Sequence, residues 1–114
     1  MKKILFLLLL FVPLAAFAAE EVASADAENT WTDPVLVKSS GVCSLSISGT
    51  WSATVTLQRR INVSGAWSSW MDVETFSANA EKVVFNPSNS RVEFRAGVAT
   101  GDYSSGTVEI ILAD

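Results

Sequence analysis

Val42-Cys43-Ser44-Leu45-Ser46-Ile47-Ser48-Gly49-Thr50-Trp51-Ser52-Ala53-Thr54-Val55-Thr56-Leu57-Gln58 decides the fold class. Every second residue is apolar, and serine or threonine fills most of the gaps. Successive side chains on a strand point to opposite faces, so this period of two marks strands with one buried and one wetted face. Cys43, Leu45 and Ile47 share the inward phase of a first strand. Gly49-Thr50 is expected as a turn. Trp51, Ala53, Val55 and Leu57 share the inward phase of a second strand.

The same pattern continues on both sides. Val35-Leu36-Val37 is a short strand opened by Pro34. Asn62-Val63-Ser64-Gly65 is a hairpin connection. Trp67 to Glu74 is expected as its return strand. Ala78-Asn79-Ala80 is a turn, and Glu81 to Phe85 a strand. Asn86-Pro87-Ser88-Asn89 is a strong turn signal. Arg91 to Val98 carries Val92, Phe94, Ala96 and Val98 inward, with Arg91, Glu93 and Arg95 outward. Thr100 to Gly106 reads as a Gly/Ser loop, and Thr107 to Leu112 as the last strand. About seven short strands with frequent turns give an all-β antiparallel sandwich, immunoglobulin- or fibronectin-like or jelly-roll-like.

The N-terminal end has a different character. Met1-Lys2-Lys3 is a basic start, Ile4 to Val12 an apolar run, and Ala16-Phe17-Ala18 a small-residue cleavage site. That is the three-part plan of a secretory signal peptide. The run is too short for a bilayer span of about 20 residues, so residues 1–18 are expected to be removed. Export to the periplasm or beyond follows. Residues 19–33 are rich in Ala, Ser, Asp and Glu and read as a flexible acidic arm. Residues 34–114 form the sandwich.

Charge and cysteine content narrow the function. Without Lys2 and Lys3, six basic residues face twelve acidic ones, and no basic stripe appears. Such a chain is a poor nucleic-acid binder. The lone Cys43 lies in phase with Leu45 and Ile47 and reads as a small buried apolar residue. There is no His, which removes the commonest general base and the commonest zinc or copper ligand. Paired carboxylates (Asp72 and Glu74, with Glu93 and Glu109 on other strands) remain for glycoside chemistry, but a domain this small offers little depth for a cleft. No enzyme activity, cofactor or metal is expected.

Aromatics are the richer signal. Trp31, Trp51, Trp67 and Trp70 all lie beyond the signal. Trp67 and Trp70 are three apart, so in a regular strand they face opposite ways. Phase makes Trp67 and Trp51 core candidates and Trp70 the exposed one. Trp70, Tyr103, Arg59 and Arg60 are the candidate binding residues. Partners are a protein, or a second copy joined through the arm and Val35-Leu36-Val37, or alternatively a glycan stacked on Trp70 and Tyr103.

Ser48 to Arg60, Gly65-Ala66-Trp67, Asp72-Val73-Glu74-Thr75-Phe76, the Arg91-to-Gly97 strand and Tyr103-Ser104-Ser105-Gly106-Thr107 together resemble small β-sandwich domains of tailed bacteriophages and prophages. The resemblance spans about residues 42 to 112 and implies a virion or tail accessory role. Two features depart from that pattern. Asn62-Val63-Ser64-Gly65 replaces the family's Asp-Gly-Gly turn, and a signal peptide precedes the domain.

Overall fold

In the computed structural model, residues 20–114 are described, and the expected signal peptide lies outside them. Eight strands follow one another: β1 (Glu20–Ala25), β2 (Thr30–Trp31), β3 (Val35–Val37), β4 (Val42–Val63), β5 (Ala66–Trp67), β6 (Met71–Phe76), β7 (Ala80–Phe85) and β8 (Val92–Ala113). Every pairing is antiparallel. The fold is all-β, as the alternation requires.

Two strands of 22 residues, β4 and β8, form the spine. They pair from Ser44 opposite Ala113 to Ile61 opposite Val92. The ladder is irregular in its middle. Three steps along β4, Ser52 to Val55, match seven along β8, Ser105 to Val98. β8 therefore carries four extra residues there, with Gly101 at φ 88°. Extra residues in one strand bend it. Four is even, so the inward parity of both strands survives the bend. Odd residues of β4 and even residues of β8 face the core in both halves.

The bend divides the spine into two halves. β1 and β7 flank the half containing Cys43–Ile47 and Val108–Leu112. β2 and β3 flank β8, and β5 and β6 flank β4, in the other half. Leu45, Ile47, Ile110 and Leu112 from the first half join Val55, Leu57, Val92 and Phe94 from the second in one buried cluster. The two halves thus close on each other as the layers of a sandwich. Lys82 on β7 meets Glu74 on β6 at 2.8 Å and ties one sheet edge to the other.

Several expectations are corrected. Gly49-Thr50 is not a turn, and Thr100–Gly106 is not a loop; both stretches stay in the spine. Their glycines serve close approach instead. A Cβ on Gly49, at φ 110°, would lie 2.6 Å from the Thr107 carbonyl oxygen. One on Gly106 would lie 2.6 Å from Trp51 Cα. Fusion of two pairs cuts the seven expected strands to five, and β1, β2 and the split of the return strand into β5 and β6 bring the number to eight.

The acidic arm is also corrected. Residues 20–25 are β1, paired with β8 from Ala113 to Val108. Ala23 and Ala25 are buried. Composition missed this because backbone pairing to a neighbour needs no large side chains. Thr32 extends the attachment: its amide donates to the Ala96 carbonyl at 2.9 Å, and its Oγ accepts from the Ala96 amide at 3.2 Å.

The Asn62–Gly65 hairpin forms as expected. Ser64 and Gly65 take φ 54° and 85°, the left-handed pair of a type I′ turn. The return strand does not run on to Glu74. It stops at Trp67, and β6 begins at Met71. Ser68 ends the ladder, its amide donating to the Ile61 carbonyl and its Oγ accepting from the Ile61 amide.

Candidate functional site

The outward face of the second half gathers three of the four tryptophans and two arginines. Arg60 on β4 and Arg95 on β8 have the outward parity of Gln58 and Glu93. Glu93 opposes Arg60 in register, and Arg95 opposes Gln58. Trp31 on β2 opposes Gly97. Trp67 ends β5, and Trp70 sits in the short link before β6.

These five residues form an alternating chain. The Arg95 Cζ is 4.2 Å from the Trp31 ring centre and 4.5 Å from that of Trp70. The Arg60 Cζ is 4.6 Å from the Trp70 centre and 5.1 Å from that of Trp67. The order is Trp31, Arg95, Trp70, Arg60, Trp67. A guanidinium over an indole face is attracted by the ring's quadrupole, each contact contributing about 0.5–1 kcal/mol at exposed sites. All three indoles are half-buried.

The two arginines differ in their polar partners. Arg60 donates through Nε, at 2.7 Å, and Nη2, at 2.6 Å, to Glu93 Oε1. Arg95 donates through Nε to Gln58 Oε1 at 2.9 Å, and Gln58 in turn donates to Asp72 Oδ1 at 2.8 Å. Burial, and then the like charge of Arg60, lower the pKa of Arg95 from its usual value.

Of the expected site residues, Trp70 and Arg60 come together. Arg59 has the opposite parity and opposes Phe94 and Met71. Tyr103 lies at the bend, packed against the core, its hydroxyl donating to the Gly106 carbonyl at 2.9 Å. Neither reaches the aromatic face. Trp67 is not a core residue, because the chain leaves the ladder at residues 68–70 and a spacing of three no longer sets opposite faces. Trp51 does pack against the core, and its Nε1 donates to Asn79 Oδ1 at 2.7 Å. Sequence reasoning missed Trp31 and Arg95 as site residues. The outward parity of Arg95 was legible, but not its register with β4 or the seat of Trp31 on Gly97.

The carboxylates are dispersed. Asp72 is engaged by Gln58, Glu74 by Lys82, Glu93 by Arg60, and Glu109 accepts from Ser24 at 2.6 Å. Among the described residues no three Asp, Glu or Cys side chains gather to hold a metal ion.

Cys43 is buried beside Leu45, as its phase implies. Burial, and then the charge of Asp114, push its thiol from 9.0 up to about 11. The folded state keeps the proton that the unfolded chain releases above pH 9. Stability therefore falls as pH rises from about 9 to 11, by an order of 2 kcal/mol. Urea unfolding across that range should show the loss, and Cys43→Ala should remove it. Native protein should resist thiol reagents at pH 8 and react fully in denaturant.

The chain matches no known family model, no curated protein and no solved structure.

Proposed function

We propose that this protein is an exported, non-enzymatic recognition module that binds a protein partner through its tryptophan–arginine face. The observation that carries the reading is the alternating chain from Trp31 to Trp67 on a solvent-facing sheet. Tryptophan and arginine are the residues most enriched at the energetic centres of protein interfaces. Here four of the five sit on strands and Trp70 is held between the two guanidiniums, which lowers the entropy lost on binding. Export and the likeness to phage sandwich domains belong to the same proposal and rest on the sequence motifs alone.

The geometry disfavours two other readings. A sugar stacks on an open ring face, whereas both guanidiniums already lie over Trp70. Assembly through a free arm would have to strip β1 from its six-residue register with β8. The sheet edges also carry charges of inward phase, Lys82 on β7 and Glu74 on β6, which oppose addition of a further strand.

The test compares wild-type protein with Trp70→Ala as bait in envelope extracts, alongside a glycan panel. One defined protein partner retained by the wild type and lost with Trp70→Ala is expected. The variant should stay folded, losing about 1–2 kcal/mol with its two cation–π contacts. A glycan that binds in a Trp70-dependent way, with no protein retained, would replace this reading by a carbohydrate-binding one.

A further inference from the structure

We infer that the partner presents an acidic segment, one of whose carboxylates is received by the Arg95 guanidinium between Trp31 and Trp70. The inference deepens the proposed function and rests on it. The two cations of the face are unequally matched. Arg60 has Glu93 against it at 2.6 Å. Among the described residues Arg95 has no carboxylate within ion-pair distance, and its one side-chain partner is the neutral Gln58.

Arg95 is nevertheless partly withdrawn from water, under Trp31 and beside Trp70. A half-buried cation without a counter-charge is costly, and the cost falls when an anion arrives. The geometry suits a carboxylate. Nε is occupied by Gln58 and two indole rings lie within 4.5 Å of Cζ, while the two terminal nitrogens have no acceptor among the described residues. A terminal pair of N–H donors in one plane matches the two oxygens of a carboxylate. The neighbouring indoles of Trp31 and Trp70 supply apolar contact for the methylenes of a glutamate. Asp72 does not fill the role, because it reaches Arg95 only through the Gln58 amide and makes no direct ion pair with it.

The test is an NMR titration of the purified protein with two capped peptides, tetraglutamate and tetraglutamine. Arginine Nε–H and tryptophan indole N–H signals are followed. Tetraglutamate should shift Arg95, Trp31 and Trp70 at concentrations at least about tenfold below tetraglutamine, and its affinity should fall several-fold between roughly 0.05 and 0.3 M salt. Arg95→Gln should abolish the response, and Arg91→Gln should leave it intact. Arg95→Lys keeps the charge without the fork and should weaken binding about fivefold to tenfold, which covers the case where Arg95→Gln fails to fold. Equal response to both peptides, or a glutamate response that survives Arg95→Gln, overturns the inference. The envelope partner separates the two proposals. If its capture needs Trp70 but ignores salt and Arg95→Gln, the acidic segment fails and the recognition module stands.

Discussion

Replacing Asn86 by Asp leaves the domain unfolded or barely folded at neutral pH. Asn86 is fully buried. Its Nδ2 donates to three backbone carbonyls, those of Val37 at 3.2 Å, Lys38 at 2.9 Å and Ser90 at 2.9 Å. Its Oδ1 accepts from the Ser88 amide at 3.0 Å, and its own amide donates to the Gly41 carbonyl at 2.9 Å. The side chain thus holds the end of β3 against the turn between β7 and β8. In Asn86→Asp a carboxylate oxygen would face three carbonyl oxygens with no donor between them. The carboxyl is neutral in the folded state only if protonated, so its folded pKa is raised. Stability of the variant should partly return below about pH 4 and be lost as pH rises above it. Asn86→Ala tests the same hub without a charge. It removes the amide donor of the Val37 and Lys38 carbonyls, while the Ser90 carbonyl keeps the Ser88 hydroxyl; two orphaned carbonyls at about 1 kcal/mol each should lower Tm by roughly 10 °C. The exposed neighbour Asn89→Ala should change stability by less than about 0.5 kcal/mol. Thermal unfolding of the three variants decides the matter, and an unchanged Tm in Asn86→Ala would remove the hub from this account.

Gly97→Ala is the second large effect, and it acts on the site. Gly97 lies under Trp31 in the outward phase of β8. A Cβ there would meet the Trp31 Cα at 2.7 Å and the indole Cδ2 at 2.8 Å, and would press on the Thr30 carbonyl. Two of those three atoms are backbone, so no rotamer change relieves the contact. β2 must lift away, and Trp31 leaves Arg95. The expected cost is about 2–4 kcal/mol, combining overpacking with lost strand pairing. Near-UV circular dichroism should lose part of the tryptophan signal while far-UV strand content is largely kept. A Gly97→Ala protein with wild-type stability and wild-type tryptophan signals would mean that Trp31 is not seated as described.

Both effects trace to residues whose sequence signals pointed elsewhere. Asn86 sat in an Asn-Pro-Ser-Asn stretch that reads as a turn, which it is, but nothing local says that its amide is buried against β3. Gly97 stood among well-formed strand residues with no turn beside it. Gly49 and Gly106 were misread in the other direction, as breaks in strands that in fact run through. A glycine signals either a turn or a close approach, and only the facing strand tells which.

The sequence by itself determined the strand class, the inward phase and the Asn62–Gly65 hairpin. Alternation at every second residue and the left-handed preference of Gly are local, so Leu45, Ile47, Val55, Leu57, Val92 and Phe94 could be assigned to the core without a partner strand in view. Tertiary structure alone decided which strands meet. It put Glu20–Ala25 on β8, because pairing there depends on a free edge far along the chain rather than on side-chain size. It also brought Trp31, Arg95, Trp70, Arg60 and Trp67 into one chain. Their alignment depends on long-range register and on where the chain leaves the ladder after Trp67, and no short window of sequence contains either.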